Sequence, residues 1–256
     1  MKTNLTIVKV GGKIVEEPDS LGKLLNDFAA IPGAKVLVHG GGRSATKIAA
    51  HLGIESQMVN GRRITDADML RVVTMVYGGL VNKNIVAGLQ ARDINAVGLT
   101  GADMNVILSD IRPVKDIDYG FVGDVKQVDS ERLASLIQSG IVPVMAPLTH
   151  DGKGNILNTN ADTIAGETAK GLAPYFDVTL IYCFEKKGVL HDESDDNSVI
   201  AELNRQQFAE LVEQGVIQGG MIPKLENAFQ AIDAGVKEVI ITASNAIDGR
   251  QGTKIR

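Results

Sequence analysis

The chain has 256 residues, 44% hydrophobic and 22% charged, an ordinary globular composition that excludes disorder and fibrous repeats. There is no Trp, only 4% of residues are aromatic, and the net charge is −5, so neither a ring-stacking platform for single strands nor a broad phosphate-neutralising surface is expected, and with them no nucleic-acid partner. A single cysteine, Cys183, excludes an intrachain disulfide and a Cys-rich zinc site, and the N-terminal apolar run is too short for a signal peptide or membrane span, so a cytoplasmic enzyme with no membrane partner is the default expectation.

The first predicted strand, Leu5–Val10, runs into Gly11-Gly12-Lys13. A helix over Ser20–Ala30 follows, then a strand over Lys35–Val38 that ends in His39-Gly40-Gly41-Gly42 directly before a helix over Ser44–His51. Helical spacing recurs over Ala67–Tyr77 and Leu80–Arg92, broken at Gly78-Gly79, and leads to a strand over Ala96–Leu99. Tyr119–Gln127, with Gly120 and Gly123, has the pattern of a hairpin or short insertion near a sheet edge. A helix over Ser130–Ser139, a strand over Ile141–Ala146, a helix over Asp162–Gly171 and a strand over Val178–Tyr182 come next. The acidic run Asp192–Asn197 lacks EF-hand spacing and is expected as a solvated loop. Helices over Arg205–Gln214 and Lys224–Gly235 and a strand over Glu238–Thr242 close the order.

Several of these strands are apolar on both faces, which is what a sheet covered by helices on each side requires. Repeated β-then-α order implies right-handed crossovers and a three-layer α/β/α sandwich with a central, mostly parallel sheet. No Pro/Gly/Ser linker divides the chain, so one domain over 1–256 is expected, with two lobes sharing one sheet: an N-lobe of about 1–175 and a C-lobe of about 176–256.

The glycine runs carry the first functional signal. Glycines at the carboxyl ends of parallel strands let backbone approach a ligand, and a following helix offers unpaired N–H groups to an anion. Two such loops on neighbouring strands suit one polyphosphate held from two sides. Gly-x-x-x-x-Gly-Lys-Ser/Thr is absent, so this is not a P-loop. Gly40–Ala45 formally satisfies Gly-x-Gly-x-x-Gly/Ala, which keeps an NAD-type oxidoreductase as an alternative, although the loop follows the second strand and no acid ends a strand some twenty residues on. Lys9 lies inside an otherwise apolar strand, where an ammonium needs an anionic partner.

Taken in order, Lys9-Val10-Gly11-Gly12, His39-Gly40-Gly41-Gly42, Asn60-Gly61-Arg62-Arg63-Ile64-Thr65, Asn158-Thr159-Asn160-Ala161-Asp162 and Gly220-Met221-Ile222-Pro223-Lys224 resemble the amino-acid kinase family across residues 5 to 253. The Asn-Gly-x-Arg block resembles the branch acting on N-acetyl-L-glutamate in arginine biosynthesis. The resemblance implies ATP-dependent phosphorylation of the γ-carboxylate of an N-acylglutamate to an acyl phosphate, with acetyl as the family default and succinyl as the alternative acyl group. A carboxylate is already a competent nucleophile, so cations and backbone donors, rather than a general base, should dominate such a site.

The family's residue roles fall, by resemblance, on Lys9 and Lys224 as the two cations meeting the transferring phosphoryl group, and on Asp162 as the acid that accepts from both lysines. Gly12 and Gly41 should donate backbone N–H groups, with Gly11, Gly40 and Gly42 shaping the loops. Arg63 should clamp the substrate α-carboxylate, with Arg62 as its solvated neighbour, Asn158 should bond the α-substituents, and Asn160 should support the network. Leu99–Val106 and Tyr119–Val125 are expected to line the acyl pocket. The resemblance implies acyl-amino-acid binding and dimerisation by the N-lobe, and a nucleotide on the C-lobe at Glu185, Gly188, Val189 and Leu190 and over Gly215–Met221, including Gly220 and Met221, with Lys9, Gly11, Gly12 and Lys224 also in contact. Phe184-Glu185 stands where the family has Ser/Thr-Asp, and Lys186-Lys187 is unusually basic. That departure motivates a further alternative, a homologue without catalysis. Mg²⁺ should arrive with ATP, with no dedicated protein metal site. His39 reads as a structural hydrogen-bonder and Cys183 as an inert apolar residue. Family members inhibited by arginine carry an extra N-terminal helix; with about four residues before the first strand, the expectation is a plain homodimer insensitive to arginine.

Overall fold

The structure is a computed structural model that describes residues 2–59 and 61–256; Asn60 of the Asn-Gly-x-Arg block lies outside the described residues. Its centre is the strand Thr3–Val10, whose side chains alternate between two cores. Leu5 and Ile7 enter one core and Val8 and Val10 the other, and Val36 and Val38 part from Leu37 in the same way. The first core is closed by Ser130–Gln138, Ala161–Leu172 and Met221–Asp233, through Leu133, Ile164, Leu225 and Phe229. The second is closed by Pro18–Ala30, Gly42–His51 and Asn82–Gln90, through Leu24, Phe28, Ala45 and Ile85. Apolarity on both strand faces thus builds the three layers expected from the sequence.

The main sheet has eight strands, in the order Glu202–Leu203, Thr253–Ile255, Glu238–Ala243, Phe176–Phe184, Thr3–Val10, Ala34–His39, Val142–Met145 and Ala96–Leu99. Neighbours are parallel except Glu238–Ala243 with Thr253–Ile255, which are antiparallel. From the central strand the chain first lays Ala34–His39 on one side and later returns with Phe176–Phe184 on the other. This reversal opens a crevice beyond the carboxyl ends of the strands, where open α/β sheets bind ligands, and both glycine loops lie there.

Three features depart from the sequence expectation. The helix expected to stop at Tyr77 and restart at Leu80 does neither: Ala67–Val73 passes into a π-helix over Thr74–Val81 and on into Asn82–Gln90. The Asn82 N–H reaches back five residues to the Tyr77 carbonyl, so the backbone widens by one residue instead of breaking at the glycines. By length and composition this 24-residue helix is apolar enough to cross a bilayer, yet Met69, Val72, Val76, Ile85 and Leu89 pack into the second core. Tyr119–Gln127 contributes to a separate four-stranded sheet, ordered Ile156–Asn158, Leu148–His150, Ile107–Ile111 and Gly123–Val128, which walls one end of the crevice. Finally, Gly12 opens a short helix, Gly12–Glu16, whose first residue packs against the second glycine loop.

Candidate active site

The two glycine loops touch through their backbones. The Gly40 N–H donates to the Val10 carbonyl at 3.0 Å. A Cβ on Gly40 would stand 3.1 Å from the Gly12 nitrogen, and one on Gly12 would stand 3.3 Å from the Gly42 nitrogen and 3.4 Å from that of Gly41. Absence of side chains therefore lets several backbone nitrogens converge at two helix starts, an arrangement suited to an anion. A Cβ on Gly41 would also meet the Tyr77 ring at 2.8 Å, so the π-helix closes this loop from behind.

Lys9 points to the side of Leu5 and Ile7, the face covered by Ala161–Leu172, and there its Nζ meets Asp162 Oδ1 at 2.7 Å. Asp162 lies in the first turn of that helix, where the dipole favours a carboxylate, and Asn160 caps the same turn by accepting from the N–H groups of Asp162 at 2.8 Å and Thr163 at 3.1 Å. Lys224, in the first turn of Met221–Asp233, is brought to the same place but binds differently from expectation. Among the described residues no carboxylate lies within ion-pair distance of it; its Nζ stands 3.9 Å from the centre of the Phe184 ring, and Lys9 Nζ stands 5.5 Å from the same centre. Asp162 therefore pairs with Lys9 alone and acts on Lys224 only across space. Burial first, and then the Lys9 charge, lower the Lys224 pKa from 10.5, while Asp162 raises it.

Arg63 is 7% exposed and held by neighbours that fix its plane. Its Nη2 donates to the Gly42 carbonyl at 2.8 Å and to Thr46 Oγ1 at 3.0 Å, and Nη1 donates to Ser56 Oγ. Thr65 Oγ1 donates to the Arg63 carbonyl at 2.9 Å and accepts from Asn158 Nδ2 at 2.9 Å, which ties Asn158 to the same group. Arg63 and Asn158 line a cavity of about 180 Å³ together with Gly40, Gly41, Gly42, Tyr77, Val122, Asn160 and Arg62. Arg62 was expected in solvent, but it is half-buried in this lining. Val122 comes from the Tyr119–Val125 segment; nothing from Leu99–Val106 joins it.

A second cavity, of about 670 Å³, is lined by Lys9, Gly11, Gly12, Lys13, Arg43, Phe184, Glu185, Lys186, Lys187 and Asn245, among others, and shares Gly42 with the first. Glu185 bridges its rim to Lys13 at 3.6 Å and Arg43 at 3.5 Å. Lys186 is held by Asp196 at 2.7 Å and Lys187 by Asn197 at 3.3 Å. Val189 and Leu190 are buried, and Gly188 packs so closely that a Cβ would stand 2.8 Å from Thr253 Oγ1; none of these three lines the cavity, nor do Gly220, Met221 and Lys224 in the first turn of the Lys224 helix, where Lys224 reaches the cavity wall only through its contact with Phe184.

His39 is fully buried, and its ring joins a neutral network. Nδ1 bonds the Gly40 carbonyl at 2.7 Å and Nε2 bonds Asn82 Nδ2 at 3.1 Å, while the same Asn82 amide donates to the Val144 carbonyl at 2.9 Å. Burial lowers the pKa from 6.5 to about 4. The folded state thus binds fewer protons than the unfolded state between those values, so this stability is complete above pH 6.5 and is lost as pH falls towards 4. The full difference is about 3 kcal/mol at 1.36 kcal/mol per unit. Urea midpoints taken from pH 7 to pH 4.5 should fall more steeply for the wild type than for His39→Gln. Cys183 is buried in the second core, and burial pushes its thiol up to about 12, which suits an inert apolar residue.

Sequence reasoning missed Tyr77, whose phenol lies beside the Arg63 guanidinium and is raised in pKa chiefly by burial, and missed Ser56 and Thr46, which hold that guanidinium. An aromatic in an apolar helix and hydroxyls in ordinary loops carry no spacing signal.

The amino acid kinase family model matches residues 4–243. An acetylglutamate kinase of Bacteroides thetaiotaomicron is 73% identical over 256 residues, covering all of both chains. One of Methanopyrus kandleri is 38% identical over 256 residues, covering 98% of this chain and all of its own. Among solved structures, N-acetylglutamate synthase of Neisseria gonorrhoeae, complexed with coenzyme A and N-acetyl-glutamate, has a TM-score of 0.82 at 22% identity, covering 99% of this chain and 59% of that one. Carbamate kinase of Giardia lamblia, bound to AMP-PNP, has a TM-score of 0.68 at 16% identity over 99% and 98% of the chains, a likeness of fold.

Proposed function

The chain belongs to the amino acid kinase family, and from that premise we propose that it transfers the γ-phosphoryl group of ATP to the γ-carboxylate of N-acetyl-L-glutamate, a step of arginine biosynthesis. The observation that supports this most is the Lys9–Asp162 ion pair at the carboxyl end of the central strand, where two cavities meet at Gly42. The smaller cavity, with Arg63 in its wall, suits an acyl amino acid; the larger suits MgATP, whose cation is held by phosphate oxygens and water.

A γ-carboxylate oxygen attacks the γ-phosphorus, the bond to the bridging oxygen breaks, and its electron pair leaves on ADP. No proton moves, so the enzyme's task is to bring two anions together and stabilise the charge on the transferring group. Lys9 meets that group from the acyl side and Lys224 from the leaving side. The Gly12 and Gly41 N–H groups donate to it, and Asp162 fixes Lys9. Arg63 takes the α-carboxylate in a bidentate grip, with Asn158 on the α-substituents. The exposed Met75 and Leu80 on the long apolar helix support a homodimer formed through that face. Trapping the product with hydroxylamine is the test. Hydroxamate should form only with both ATP and N-acetylglutamate, and a chain that forms none is not this kinase.

One observation favours a second acyl group. Arg62 lines the smaller cavity, and among the described residues no acid lies within ion-pair distance of it, whereas its neighbour Arg112 is paired with Asp124 at 2.5 Å. A guanidinium beyond the one needed for the α-carboxylate suits an acyl group with its own carboxylate, such as succinyl. Arg62→Ala should then raise KM for N-succinylglutamate about tenfold, the effect of one lost charge-assisted bond, and leave that for N-acetylglutamate unchanged. Equal effects on both substrates exclude it.

A further inference from the structure

The two ammonium groups of the site are held by different means. Lys9 has a counter-ion, Asp162 at 2.7 Å, whereas among the described residues Lys224 has no carboxylate within ion-pair distance and lies over the face of Phe184, 3.9 Å from Nζ to ring centre. That ring is fixed from behind. Tyr182 stacks on it with centroids 6.2 Å apart and planes 17° from parallel, and the Tyr182 hydroxyl donates to the Asp162 carbonyl at 3.2 Å. Tyr182 pairs with Lys9 in the parallel register, and Phe184 lies two residues on, so the ring stands on the Lys9 side of the sheet.

We propose that Phe184 is a positioning residue for phosphoryl transfer, its ring face holding the Lys224 ammonium in place without neutralising it. This rests on the kinase function proposed above and adds a residue and a reason. A carboxylate would hold Lys224 more tightly, but it would compete with the phosphates and cancel the charge the reaction needs. A ring attracts the cation through its quadrupole and leaves that charge in full. The aromatic that stands where the family has Ser or Thr thus gives Lys224 a partner that leaves its charge free for the phosphates.

Phe184→Leu keeps an apolar side chain and removes the π face; Phe184→Tyr keeps the face. Loss of the contact should lower kcat of Phe184→Leu about tenfold, within the range of a partly desolvated cation–π contact, with KM for ATP within about twofold, and Phe184→Tyr should recover most of the rate. A ring needed only to pack the nucleotide would raise KM for ATP and spare kcat. A second measurement is independent of turnover. After reductive ¹³C-methylation, the Lys224 methyl resonance, assigned by its loss in Lys224→Arg, should be shifted upfield by the ring and return to the ordinary lysine position in Phe184→Leu. An unshifted Lys224 resonance in the wild type, or a Phe184→Leu enzyme with unchanged kcat, overturns the proposal. Absent turnover in the wild type alongside a shifted resonance would instead count against the kinase function while leaving the ring contact standing.

Discussion

Lys224→Ala is expected to lower kcat by about 10²–10³-fold with little change in KM for either substrate, the loss typical of one preorganised donor to a charge that develops in the transition state. Lys224 sits in the first turn of its helix, half-buried, and among the described residues no carboxylate pairs with it, so nearly all its charge is available to the leaving oxygen. The same surroundings make activity depend on alkaline pH. Burial and Lys9 lower the Lys224 pKa, and the protonated form is the working one, so activity is present below that pKa and lost as pH rises through it. The alkaline limb of kcat/KM should fall below the range of an ordinary lysine, and in Lys224→Arg, whatever its residual rate, that limb should move out of the measurable window because a guanidinium keeps its proton. Steady-state hydroxamate assays from pH 7 to 10.5 test this. A wild-type rate in Lys224→Ala removes the residue from the mechanism.

Arg63→Ala should act on the other parameter. The guanidinium is already desolvated and held in position by Gly42, Thr46 and Ser56, so the α-carboxylate meets a cation that is placed before it binds. One or two charge-assisted bonds of 1.5–3 kcal/mol each give a rise of roughly 10²-fold in KM for the acylglutamate. Because this contact is the same in ground and transition states, kcat should stay within about threefold. Lysine cannot reproduce the planar fork, and Arg63→Lys should recover only part of the loss. Rates across N-acetylglutamate concentrations at saturating ATP separate the two parameters; a loss confined to kcat contradicts the clamp.

The sandwich was legible because its signal is periodic. Leu5 to Val10 is apolar on both faces, and the glycine runs fall where strands end. Lys9 stood out because an ammonium in such a strand requires an anion. The helix break misread at Gly78-Gly79 has a physical cause: glycines that end an α-helix are equally tolerated in a π-turn held by the packing of Val76, Tyr77 and Val81. The four-stranded sheet escaped notice since Ile107–Ile111 and Gly123–Val128 carry Asp110, Asp124 and Lys126 on short, half-exposed strands. The choice of partner for Lys224 was hidden as well. Sequence order places Asp162 and Lys224 at helix starts, but only packing decides that the acid faces Lys9 and the ring of Phe184 faces Lys224.

The most direct measurement compares two ligands in the wild type and in Lys9→Ala and Lys224→Ala: AMP-PNP, which resembles the ground state, and MgADP with aluminium fluoride and N-acetylglutamate, which resembles the transferring phosphoryl group. If two ammonium groups act chiefly on that group in flight, each variant should lose about 10²-fold in affinity for the fluoride complex and keep AMP-PNP within about threefold. Equal losses for both ligands, or undiminished binding of the fluoride complex, would contradict it.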